Sequence, residues 1–266
     1  MVDNMKVGSE RRITQIIALL ISNLGLFRIL KTGFTCPFLY CHGCPFAAFG
    51  CPIGIFQHFL IEGKFPLFAI GSLGVYGTLL GRVFCGWVCP FGSLHDLLTH
   101  VRGSKGLKAK PVWYSKFVIL FAVLGLAWLF LDTIFCKFCP SGSLFATVPA
   151  LVPHPFFNRG FSPSGLFLHV HIFTLVITVV LALLISRFWC RYLCPMGGVA
   201  GAFNKVSIVN ISLDEEQCKK CFACLEACGM GITKLEGIGR STDCILCGRC
   251  VEACPEKALR FTIKSS

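Results

Sequence analysis

Eighteen cysteines in 266 residues carry most of the chemistry in this chain. Cys218, Cys221, Cys224 and Cys228 follow the spacing C-x-x-C-x-x-C-x-x-x-C. Cys244, Cys247, Cys250 and Cys254 repeat it, with Pro255 after the last. Such a double run holds two [4Fe–4S] clusters, the fourth cysteine of each run ligating the other run's cluster. One cluster therefore takes Cys218, Cys221, Cys224 and Cys254, and the other takes Cys244, Cys247, Cys250 and Cys228. Gly229 stands where proline is usual after the first run, which alters backbone and not ligands. Zinc sites use fewer thiolates than two full four-cysteine runs provide.

The other ten cysteines lie upstream, in an internal repeat. Arg82-Val-Phe-Cys85-Gly-Trp-Val-Cys89-Pro90-Phe-Gly92 returns as Arg187-Phe-Trp-Cys190-Arg-Tyr-Leu-Cys194-Pro195-Met-Gly197. The paired C-x-x-x-C-P-x-G units supply one set of four thiolates, Cys85, Cys89, Cys190 and Cys194, for a third cluster. Zinc would also accept four thiolates but has no redox role. Six cysteines remain: Cys36, Cys41, Cys44 and Cys51 in one loop, Cys136 and Cys139 in another. Repeat symmetry favours a fourth cluster on Cys41, Cys44, Cys136 and Cys139. Proximity in sequence favours Cys36, Cys41, Cys44 and Cys51, and all six together would suit a larger centre.

The elements that must position these thiols are apolar. The chain is 55% hydrophobic and 14% charged, where soluble domains carry roughly a quarter charged residues. Four runs hold the apolar excess: Ile13–Leu30, Phe65–Phe84, Trp113–Phe135 and Leu166–Phe188. Each approaches the ~20 residues needed to cross a membrane, and Gly77 with Gly81 forms a G-x-x-x-G pair suited to close helix approach. The expected fold is an α-helical membrane protein of four transmembrane helices in two repeated halves. A small α+β domain with two [4Fe–4S] clusters closes it, with strands near Ser207–Leu213 and Ala258–Ile263. The expected divisions are a cytoplasmic tail, 1–12; a four-span domain, 13–205, with repeat halves at about 13–101 and 113–205; and the two-cluster domain, 206–266.

Lys6, Arg11, Arg12, Arg102, Lys105, Lys108, Lys110, Arg191 and Lys205 flank the runs on one side. Lys31, Lys64, Lys137 and Arg159 lie on the other. That asymmetry predicts a multi-pass protein of the cell membrane with both termini and the two-cluster domain cytoplasmic. The formal charge of +12 is no sign of nucleic-acid binding, because four thiolate-bound clusters would remove roughly eight positive charges.

Ionisable groups in apolar runs are functional candidates. His169 and His171 open the fourth run and Asp132 ends the third, where they would bind a quinone headgroup or handle its protons. His58, Glu62, His95 and His100 lie near the run ends. Haem is not expected, since no second histidine lies deep in another run. Trp87, Trp113, Trp128 and Trp189 read as interfacial anchors. Phe91–Val101 and Gly197–Asn204 read as short interfacial helices shielding the third cluster from water.

The paired Cys85…Cys89-Pro and Cys190…Cys194-Pro motifs, the four runs and the terminal eight-cysteine ferredoxin pattern together resemble the NapH-type family of membrane iron–sulfur proteins. That family includes the iron–sulfur part of NosR-like proteins. The resemblance implies a subunit of a quinol dehydrogenase-type oxidoreductase, not a stand-alone enzyme. It would pass electrons between a quinone-type carrier or outer-face partner and iron–sulfur or cytochrome subunits of a larger complex. No hydrolytic constellation, P-loop or dinucleotide motif accompanies the cysteines. The alternative function is a redox-active assembly or regulatory factor for the maturation of another metalloenzyme.

Overall fold

The fold is described from a computed structural model for residues 7–26, 31–41, 43–44, 46–103, 112–151 and 165–263. Helix α1 (Val7–Ser22) is followed by a loop that bears four of the cysteines, and then by α2 (Pro52–Ile61) and α3 (Leu67–Leu80). The short α4 (Val83–Trp87) leads into α5 (Pro90–Arg102). The second half repeats this order. Helix α6 (Ser115–Phe130) precedes the short α7 (Ile134–Phe138) and α8 (Pro140–Gly142). A π-helical stretch, Ser143–Thr147, carries α8 on into α9 (Val148–Ala150). Then come α10 (Leu166–Leu184), the short α11 (Phe188–Tyr192) and α12 (Pro195–Phe203). Helix α6 packs against α2 and α12, and α10 packs against α5, α7 and α8.

The expectation of four membrane crossings is overturned. Among the described residues only α10, with 19 residues, is long and apolar enough to cross a membrane. Helices α3 and α6 have 14 and 16 residues, about 21 and 24 Å at ~1.5 Å per residue, against a hydrocarbon core of ~30 Å. The apolar runs were longer than their helices because the fold spends part of each run on a turn. Helix α3 stops at Gly81 (φ 54°), α6 at Leu131 (φ 50°), and Arg187 (φ 52°) separates α10 from α11. The residues beyond each break wind into the short helices that carry cysteines. Part of the first run, 27–30, lies outside the described residues, as do residues 1–6 of the tail and the flanking Lys6, Lys105, Lys108, Lys110 and Arg159.

The C-terminal part is small and mixed. Strands β1 (Val209–Leu213) and β2 (Leu259–Ile263) pair antiparallel, from Val209 opposite Ile263 to Leu213 opposite Leu259. Short helices α13 (Ala223–Glu226) and α14 (Arg249–Glu252) lie between them in sequence, over a core of Ile211, Leu246, Val251 and Leu259.

A dense polar seam ties this part to the helices. Asn204, fully buried, donates to the carbonyls of Ser241 (2.8 Å) and Cys244 (2.6 Å). Arg82 donates to the Thr242 carbonyl at 2.6 Å, and Trp87 Nε1 to the Leu246 carbonyl at 2.9 Å. Lys116 and Asp243 form a buried ion pair. Breaking such a pair leaves a charge stranded, so Asp243→Ala is expected to cost about 3–5 kcal/mol in denaturant unfolding. Removing the exposed pair Lys219–Glu256 by Glu256→Gln should leave the midpoint unmoved, because solvent screens it.

Candidate metal centres

Two cysteines cap helices in the same way. Cys89 (φ −61°, ψ 115°) and Cys194 (φ −72°, ψ 110°) are extended N-cap residues, each followed by proline at the first helical position. Each sulfur accepts a hydrogen bond from the glycine three residues on, Gly92 N at 3.4 Å and Gly197 N at 3.3 Å. This is the N-cap bond ordinarily made by an oxygen, here turned on a thiol. Helices α4 and α11 bring Cys85 and Cys190 to the same place. The halves also cross over: Arg187 Nη1 donates to the Cys85 carbonyl (2.7 Å), and Arg82 Nη2 donates to the Cys190 carbonyl (3.3 Å). Glycine is needed at both helix starts. A Cβ on Gly92 would lie 2.8 Å from the Cys85 carbonyl oxygen, and one on Gly197 would lie 2.8 Å from the Arg82 guanidinium.

Burial pushes the Cys89 thiol well up, and the charges of Cys190, Cys85 and Cys194 push it further. Burial likewise takes Cys190 up to about 11, against the pull of Arg187. The four sulfurs thus share one electrostatic neighbourhood with two buried guanidiniums beside it. Four thiols, two backbone N–H groups on sulfur and two cations suit a cluster with net negative charge. Among the described residues no three ligand side chains converge on a point small enough for a single metal ion; a cubane holds its thiolates wider apart.

Asp96 organises the charges behind this site. Its carboxylate receives Arg187 (2.9 and 2.5 Å), Arg11 (3.1 Å) and Arg249 (3.0 Å), which come from three separate parts of the chain. Burial alone would raise its carboxyl, but Arg187, Arg11 and Arg249 outweigh that and hold it well below the usual carboxylate range. His95, one residue back, is buried against Phe91 with neither ring nitrogen partnered. Burial and the Arg187 charge pull it down to about 4, so it is neutral.

In the C-terminal part, Cys228 and Cys247 pack onto a small cluster of Cys85, Met230 and Ile245. The second ferredoxin set therefore borders the Cys85 site directly. Within that set, burial and the charges of Cys247, Cys244 and Cys228 raise the Cys250 thiol. Cys224, raised by burial, feels Cys254 and Cys218 in the other set, and Cys221 is exposed. The close approach depends on Gly86, where a Cβ would sit 2.5 Å from the Ile245 carbonyl oxygen.

The six remaining cysteines share one electrostatic neighbourhood but have different nearest contacts. A Cβ on Gly142 would lie 3.6 Å from Cys41 Sγ and 3.8 Å from Cys139 Cβ; one on Gly54 would lie 3.8 Å from Cys51 Cβ and 3.9 Å from Cys136 Sγ. Cys36 instead donates to the carbonyls of Phe38 (3.2 Å) and Gly50 (3.3 Å). Cys44 accepts from Phe46 N at 3.4 Å, with the Tyr40 hydroxyl 4.0 Å away.

The expected carrier-binding trio is not brought together. Asp132 pairs with Lys137. His169 is exposed and bonds the Gly165 carbonyl, while His171 is buried and meets the Thr147 hydroxyl at 2.7 Å. Two tryptophans also depart from expectation. Trp87 fastens the C-terminal part, and Trp189 is buried between Phe91 and Phe135 rather than at an interface.

A family model described as a 4Fe-4S binding domain matches residues 63–108, 112–156 and 167–212, and a second of the same description matches 241–260. An uncharacterized protein of Methanocaldococcus jannaschii is 30% identical, over 79% of this chain and 77% of its own. The ferredoxin-type protein NapH of Haemophilus influenzae is 29% identical, over 71% of this chain and 65% of its own. The regulatory protein NosR of Pseudomonas aeruginosa is 26% identical, over 69% of this chain and 24% of its own. The chain belongs to the NapH-type 4Fe-4S family. No solved structure matches it.

This NapH-type chain is an iron–sulfur electron-transfer protein, and its cofactors are [4Fe–4S] clusters. A crevice of about 1230 Å³ opens between α1, α5 and the ferredoxin part, reaching from Arg12 and His100 to Cys228. Cys190→Ala is expected to lower anaerobic iron content by about four atoms per chain. The electron-paramagnetic signals of the ferredoxin clusters should persist, because none of their ligands is touched.

Proposed function

We propose that this protein is a membrane-anchored subunit carrying electrons one at a time between a quinone-type carrier or an outer-face redox partner and peripheral redox subunits. The observation that supports this most is the seam at Gly86, where Cys228 and Cys247 lie against Cys85 across a contact that only a glycine permits. A bound [4Fe–4S] group takes up and releases one electron without making or breaking bonds to substrate. The protein's own task is to hold such groups close, dry and charge-compensated. Arg82 and Arg187, 0% and 1% exposed, supply the compensation.

The membrane part of the proposal rests on α10, with the ferredoxin part on the cytoplasmic face. Phe68, Phe121, Trp128 and Phe173, each more than 60% exposed, give the helices an apolar exterior that suits lipid or a partner subunit. The crevice beside Cys228 is larger than the ~300–1,000 Å³ of ordinary small-molecule sites, room enough for a quinone ring and its flanking chain. The relative named as a regulatory protein favours a second reading, an assembly or regulatory factor. Co-purification with a redox enzyme at fixed stoichiometry supports the first reading, and transient association supports the second.

Anaerobic rapid mixing with a quinol analogue tests the electron path. The wild-type protein should bleach in the iron–sulfur absorbance region in more than one phase. In Gly86→Val, with iron content unchanged, transfer between the Cys85 site and the ferredoxin should slow severalfold. Identical phases in both proteins would remove the seam from the path.

A further inference from the structure

Four helices in this chain start on the same four-residue phrase. Cys51-Pro52-Ile53-Gly54 opens α2, Cys89-Pro90-Phe91-Gly92 opens α5, Cys139-Pro140-Ser141-Gly142 opens α8, and Cys194-Pro195-Met196-Gly197 opens α12. The backbone agrees at every one. The cysteine is an extended N-cap with φ between −76° and −61° and ψ between 110° and 122°, and proline follows at the first helical position. At Cys89 and Cys194 this device aims a sulfur into the site shared with Cys85 and Cys190. At Cys51 and Cys139 it has no assigned purpose.

The partners of Cys51 and Cys139 are equally regular. Cys136 stands three residues before Cys139 on α7, and its sulfur lies close to the start of α2 at Gly54. Cys41, from the long loop, has its sulfur close to the start of α8 at Gly142. Each half thus places its own cysteine at the N-cap position of one helix, without the sulfur cap bond seen at Cys89 and Cys194, and sends a second sulfur to the helix start of the other half. Cys51 and Cys139 are 9% and 7% exposed, and Gln57 Nε2 lies 3.8 Å from Cys136 Sγ. Burial raises the Cys41 thiol to about 12, with the charges of Cys51, Cys136 and Cys44 adding to it.

We infer that Cys41, Cys51, Cys136 and Cys139 hold a further [4Fe–4S] cluster, and that Cys36 and Cys44 are not ligands of it. Cys36 Sγ lies against two backbone carbonyls, those of Phe38 and Gly50, and neither α2 nor α8 starts on it. Cys44 instead meets the Tyr40 hydroxyl and the Phe46 backbone N–H. The repeat partner of Cys139-Pro140 is therefore Cys51-Pro52, not Cys44-Pro45, since only the former is an N-cap cysteine followed by proline and then glycine in the first turn of a helix. A four-thiolate site at this end would extend the electron path past the Cys85 set, which is the reading it rests on.

Single alanine variants at the six positions test the assignment, measured as anaerobic iron and acid-labile sulfide on the full-length protein. Cys51→Ala is expected to lose about four iron atoms, and Cys36→Ala and Cys44→Ala to lose none. The ferredoxin electron-paramagnetic signals serve as an internal standard. If they survive in every variant, the two-cluster domain is intact and the iron lost comes from the helical part. A loss of iron in Cys44→Ala or Cys36→Ala with Cys51→Ala unchanged would overturn the assignment. Wild-type iron that is already accounted for by the ferredoxin and Cys85 sets would overturn it too, without touching the proposed function. Should Cys51→Ala fail to accumulate, the other two variants decide: full iron in both leaves only this set of four, and loss in either refutes it.

Discussion

A cluster on four thiolates is an anion, and burying an anion is the problem that the helical part of this protein has to solve. Water is excluded around Cys85, Cys89, Cys190 and Cys194, so compensation must come from fixed groups. The fold supplies it in layers. Helix starts direct backbone N–H groups at sulfur, as helix N-termini do for other anions. Arg82 and Arg187 then reach across the repeat to the carbonyls of each other's cysteine turns. The two arginines need their own support in the interior, and they find it differently: Arg187 on Asp96, Arg82 on the Thr242 carbonyl.

That asymmetry is where the duplicated halves stop being equivalent. Asp96 belongs to α5, and the matching position of α12 is Gly201, which has no charge to offer. A carboxylate shared by Arg11, Arg187 and Arg249 joins the first helix, the second repeat and the ferredoxin part. The Arg82 side holds the loop from Ser241 to Cys244 through Asn204 and through Lys116 with Asp243. One half of the repeat grips the chain's beginning and α14; the other grips the loop that leads to a metal-binding run.

The cofactor type was legible in the sequence because repeated cysteine spacing is characteristic of [4Fe–4S] sites. The eight ferredoxin cysteines and the C-x-x-x-C-P-x-G pairs could be read without a fold. Helix length was not legible, because hydropathy counts residues and does not see where the backbone turns. Leu131 and Arg187 take left-handed conformations in the middle of apolar text, and nothing in their identity announces it. Trp87 and Trp189 were misread for a related reason: tryptophan at the end of an apolar run resembles an interfacial anchor until its N–H or its ring finds a protein partner. The choice among the six outer cysteines was not legible, since repeat symmetry and proximity in sequence select different sets of four.

The seam at Asn204 has a kinetic meaning. Backbone carbonyls on both sides of Asp243, from Ser241 to Leu246, are held by side chains of the helical part. A ferredoxin fastened through its own cluster-bearing loop does not swing between donor and acceptor as tethered carriers do. Charge moves through it as through a soldered joint, so its throughput should be indifferent to the viscosity of the surrounding solvent.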